Sequence, residues 1–143
     1  MKIEKKIRCG SSYFFDKFDD YIYKDIDWLV FVDKLPGKQP MFRVKIKNDD
    51  LMMFDINTKK QQYIDMVFDT NVTLKIGKFL IPEFNKFIGF NINDLTIFKD
   101  IINNLDDKHK YQKIIYDCYL ENNSFYLTKK QLDKAYLEYK KYR

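Results

Sequence analysis

Two carboxylates one residue apart, Asp25 and Asp27, open the apolar run Trp28-Leu29-Val30-Phe31-Val32. Alternate residues on a strand share a face, so the two acids are expected to project together. Like charges held side by side repel, and burying them is costly unless a cation intervenes. Magnesium takes one or two carboxylates, keeps several waters and completes its shell with phosphate oxygens. A third acid, Asp55, sits inside another apolar run, Leu51-Met52-Met53-Phe54-Asp55-Ile56. Upstream, Gly10-Ser11-Ser12 follows Ile7-Arg8-Cys9, where a strand-to-helix turn would expose backbone N–H groups to an anion. Three carboxylates on neighbouring strands beside such a turn are the parts of a two-metal site for phosphoryl chemistry. The plainer alternatives are a solvated strand end for Asp25 and Asp27, and a salt bridge from Asp55 to Arg43 or Lys45.

A hydrophobic strand, Gly10-Ser11, then Asp25-x-Asp27 in a second strand and Asp55 in a later one resembles the nucleotidyltransferase superfamily, the polymerase beta-like fold. In size the chain is closest to the minimal nucleotidyltransferase proteins. The resemblance spans roughly residues 6–57. It implies a metal-dependent transfer of a nucleoside monophosphate from a nucleoside triphosphate, ATP among them, to a hydroxyl acceptor, with release of pyrophosphate. On that resemblance Gly10 and Ser11 hold the terminal phosphates, and Ser12, Arg43 and Lys45 are further candidates for binding the nucleotide. Asp25, Asp27 and Asp55 would hold two Mg2+ ions, with Asp55 also helping to deprotonate the acceptor. The acceptor could be a protein, a small molecule or a nucleic acid. The sequence departs from many relatives in having no room for a helix before the first strand. The alternative expectation is a catalytically inactive nucleotidyltransferase-like binding module acting on a protein or nucleic-acid partner.

The frame for these residues is an α+β chain: a small mixed or antiparallel sheet with helices packed on it, and a helical C-terminal third. The 143 residues suit a single domain, with a sheet-containing core at 1–81 and a helical extension at 82–143. Hydrophobic residues make up 45 % of the chain, which excludes a disordered protein. The net charge of +5 admits an anionic ligand or a polyanion, but 21 acids are interleaved with 26 bases, unlike a dedicated duplex-DNA binder. The basic excess gathers late, between Lys129 and Arg143. A single histidine, His109, leaves zinc without ligands and a catalytic triad without a base. Cys9 and Cys118 read as reduced core thiols of a cytoplasmic protein. The Met-Lys-Ile-Glu-Lys-Lys start lacks the apolar region of a signal peptide, and no apolar run suits a membrane span.

Element by element, strands are predicted at 2–10 and 25–33, with a short helix at 12–20 that Ser12 could cap. Phe42 to Lys47 alternates apolar and basic residues, and Leu51 to Ile56 is expected to return antiparallel after a hairpin loop at Asn48-Asp49-Asp50. A helix is predicted at 59–69, where Tyr63, Met66 and Val67 supply an apolar face, and a last strand at 73–81. Pro82 suits a helix start and Gly89 its end. Leu95, Phe98, Ile102 and Leu105 mark one later helix, and Tyr111, Ile114, Ile115, Cys118 and Tyr119 a second. Thr128-x-x-Gln131 is a capping box opening a third, which carries Leu132, Ala135, Tyr136 and Tyr139.

Overall fold

A computed structural model describes residues 3–22, 26–32, 41–42, 51–54, 61–69 and 77–143. The chain is α+β, and its C-terminal third is mostly helical. It divides into two compact units, 1–73 and 74–143.

The first unit is built on a mixed sheet. Strand β1 (Ile3–Cys9) runs directly into a short helix α1 (Gly10–Phe15). Strand β2 (Asp27–Val32) lies antiparallel to β1, with Cys9 opposite Asp27 and Ile7 opposite Leu29. Opposite residues share a sheet face, so Ile7, Cys9, Leu29 and Phe31 form one apolar layer, and all four are buried. The other face carries Lys6, Arg8, Trp28 and Val30; there the Lys6 ammonium lies 4.8 Å from the Trp28 ring. Helix α1 adds Phe14 and Phe15, both buried, and Phe15 meets Phe18 edge-on at 6.0 Å.

Strand β5 (Gln61–Asp69) runs parallel to β2, with Asp27 opposite Tyr63 and Val32 opposite Asp69. The short strands β3 (Met41–Phe42) and β4 (Leu51–Phe54) both pair antiparallel with β5. Two of these pairings correct expectations from sequence. Residues 61–69 form a strand, not the helix predicted at 59–69. Tyr63, Met66 and Val67 fit helical spacing, but Tyr63-Ile64-Asp65-Met66-Val67-Phe68 fits a strand equally well, and its aromatic and β-branched residues favour the sheet. The partner strands decide the matter. Of the predicted hairpin only Phe42 and Leu51–Phe54 are described; both pair antiparallel with β5 and so run in the same direction, while the rest of that hairpin lies outside the described residues.

The second unit is helical. No strand is present over residues 77–81, where Gly77 and Lys78 turn and Ile81 is extended; the predicted strand at 73–81 is corrected there. A Cβ at Gly77 would overlap the Ile101 side chain, so glycine is what allows that turn to lie on it. Helix α2 (Pro82–Ile88) begins on its proline and ends at Gly89, whose φ of 80° is left-handed. The predicted helix carrying Leu95 to Leu105 is split. A 3-10 helix at Ile92–Phe98, with an Asn91 capping box, passes into α3 (Lys99–Asn103). Its predicted apolar residues Leu95, Phe98, Ile102 and Leu105 are all buried.

A one-turn 3-10 segment (Asp107–His109) leads into α4 (Tyr111–Asn122), and α5 (Lys129–Lys140) follows. The Thr128 capping box forms as predicted, with Thr128 and Gln131 each accepting from the other's backbone N–H. Ile115, Tyr119, Ala135 and Tyr136 are buried, and Tyr111 meets Tyr139 edge-on at 5.3 Å.

Candidate functional site

The junction of β1 and α1 places the residues that sequence singled out. Cys9 is extended and Gly10 turns sharply with a φ of 68°, a left-handed conformation that glycine adopts without cost. This turn sets the Gly10 Cα against the β2 strand. A Cβ added there would sit 2.5 Å from Asp27 Oδ2. The approach follows from register: Cys9 and Asp27 are cross-strand neighbours, so the next residue of β1 passes over the Asp27 carboxylate. Asp27 lies on the face of Leu29 and Phe31, as alternation predicted, and is half-buried.

The hydroxyl chemistry is largely committed internally. Ser11 Oγ and the Tyr21 hydroxyl are 2.8 Å apart. Ser12 does not cap α1. It lies inside the helix, fully buried, and its hydroxyl donates to the Cys9 carbonyl at 3.4 Å. The helix predicted at 12–20 starts earlier and ends at Phe15, with turns over Asp16–Asp20. Arg8 straps the helix. Its guanidinium donates to the Ser12 carbonyl at 3.1 Å and pairs with Asp16 at 3.4 Å.

Of the proposed site residues, the structure therefore brings together Gly10, Ser11, Ser12 and Asp27. Asp25, Asp55, Arg43 and Lys45 lie outside the described residues. Among the described residues no group of three or more His, Cys, Asp or Glu side chains is arranged to hold a metal ion. The described donors by themselves thus do not make up a magnesium site.

Three residues were missed in sequence. Tyr21 lies just past the predicted helix at 12–20, and its hydroxyl partners Ser11. Arg8 was read only as part of a strand, although its place two residues before Gly10 put a cation within reach of the turn. Asp65 was assigned to a helix. It lies in β5, where the register with β2 slips: Ile64 is opposite Trp28, Met66 is opposite Leu29, and Asp65 falls between them. Such bulges often stand beside functional sites. The signal was available, because an acid between Ile64 and Met66 is the same pattern that singled out Asp55.

The helical unit holds a broad depression of about 580 Å³, lined by Lys78, Asp100, Ile101, Asn104, Leu105 and Asp106. His109 Nδ1 bonds Asp106, and this bond, helped by the positive field of Lys78, holds the Asp106 carboxyl below its ordinary value. The chain matches no family model, no curated protein and no solved structure. Among the described residues no helix is long and apolar enough to cross a membrane.

Proposed function

We propose that residues 1–73 form a nucleotidyltransferase-like binding module that engages a protein or nucleic-acid partner without turning over nucleotide. One observation carries this reading: the phosphate-cradling turn is closed on its own chain. The Ser11 hydroxyl is engaged by the Tyr21 hydroxyl at 2.8 Å. A turn built to grip terminal phosphates would keep that hydroxyl and the adjacent N–H groups directed at the ligand. The test is nucleotide turnover by the full chain. Labelled nucleoside triphosphate with magnesium should release no pyrophosphate above a no-protein blank, with or without candidate hydroxyl acceptors. Magnesium-dependent release that vanishes in the D25N/D27N variant would refute the binding reading.

The second reading is nucleotidyl transfer itself, favoured by the approach of Gly10 to Asp27. On the resemblance, Gly10, Ser11, Ser12, Arg43 and Lys45 would hold the nucleotide. Asp25, Asp27 and Asp55 would hold two magnesium ions. The parallel pairing of β5 with β2 adds Asp65 as a rival third carboxylate. D55N and D65N separate the two, because only the true ligand abolishes turnover.

A further inference from the structure

We infer that the outer face of α5 is a docking surface for the phosphate backbone of nucleic acid. The first ground is charge segregation. Residues 129–143 hold six Lys or Arg against two Asp or Glu, a net +4 of the chain's +5. The second is how those charges are spent. Asp133 is paired with Lys129 at 3.5 Å and Glu138 with Lys141 at 2.8 Å. At the helix end, the Lys140 ammonium lies 4.7 Å from the Tyr136 ring and the Arg143 guanidinium 4.1 Å from the Tyr139 ring. Lys130 and Lys134 are exposed, and among the described residues neither has an acidic partner within ion-pair distance.

Spacing puts the two free ammonium groups on one line. Lys130, Lys134, Leu137 and Lys141 follow one another at intervals of four, three and four, which is a single stripe on a helix. Lys130 and Lys134 are one turn apart, about 6 Å along the axis. The exposed pair of Lys129 with Asp133 is of the kind worth little in water, so this lysine can exchange its acid for phosphate. On the neighbouring helix α4, burial pushes the Cys118 thiol up, with the Glu121 and Asp117 charges adding to the rise and Lys134 opposing it.

The partner follows from the rest of the helix. A helix that lies on a lipid surface presents an apolar face to it. The apolar face of α5, with Ala135, Tyr136 and Tyr139, is buried within the helical unit. The outer stripe offers Leu137 as its one large apolar side chain, 62 % exposed. A phosphate chain needs no apolar face, only cations in line. The inference stands apart from the reading of residues 1–73 and would survive its failure.

The test is fluorescence anisotropy of a labelled single-stranded oligonucleotide against the full chain, titrated from about 50 to 200 mM salt, where phosphate contacts give steep dependence. The expected result is measurable binding whose log–log salt slope becomes shallower by about 1.4 in K130Q/K134Q, two contacts fewer on a single strand. K86Q, on α2, should leave the slope unchanged; circular dichroism should show K130Q/K134Q as helical as the parent. No oligonucleotide binding at low salt would overturn the inference. So would a slope unaltered by K130Q/K134Q, or equal lysine-dependent binding to vesicles of anionic lipid.

Discussion

The elements of the two units are specified over different ranges of sequence. In the helical unit, each element is specified within a few residues of itself. The Thr128 capping box, the Gly89 stop and the stripe through Ile115 and Tyr119 are local patterns, and the structure contains all of them. In the sheet unit, the defining contacts join residues far apart in sequence: Cys9 with Asp27, Asp27 with Tyr63, Met52 with Tyr63. A helix satisfies its backbone internally, whereas a strand is defined by its neighbours. The candidate site belongs to the second kind, because Gly10 reaches Asp27 only once β1 and β2 are in register.

The sharpest way to probe that contrast is to damage each unit separately. Ile115→Ala, at a fully buried position, should cost about 3 kcal/mol. Hydrogen exchange should show α4 and α5 losing protection while β1 and β2 keep theirs; equal loss in both units would erase the distinction drawn above. Gly10→Ala should do the reverse, at about 2 kcal/mol or slightly more, from the left-handed backbone and the crowding of Asp27. Denaturant unfolding of this variant should report the loss, with exchange localising it to the first unit. Gly89→Ala tests whether positive φ alone explains the effect. Nothing lies near its Cβ, so it should cost less than Gly10→Ala.

Smaller effects test local specification. Thr128→Ala removes one partner of the capping box and should lower stability by about 1 kcal/mol, with fraying confined to the first turn of α5. Asp106 gives the least. Its carboxyl titrates lower in the folded chain than in the unfolded one, chiefly because His109 bonds the charged form. The stability it adds is therefore present above the ordinary carboxylate range and lost as pH falls through its depressed folded value. Both groups are substantially exposed, so Asp106→Asn should flatten the acid limb only slightly in thermal melts.

Much of the helical unit was legible because helical spacing and caps are read over a few consecutive residues. Its long helix, split at Phe98–Lys99, kept the predicted residues buried and altered only the winding, whereas the strand expected at 73–81 is absent over the described residues 77–81. The sheet unit was legible in part. Strands β1 and β2 were both expected, β2 from its apolar run, and the Gly10 turn and Asp27 were named together. The identity of 61–69 was not legible, since nine residues of mixed apolar spacing satisfy both periods until a neighbour pairs with them.

By itself, the sequence determined where Asp27 and Gly10 stand along their strands, which residues line the helical core, and how the basic excess gathers in the last fifteen residues. These depend on residue type and short spacing. Only the tertiary structure decided that β5 is a strand beside β2, that β3 and β4 run the same way, and that the Ser11 hydroxyl meets Tyr21. Those outcomes rest on hydrogen bonds and close approaches between segments distant in the chain, which no local pattern encodes.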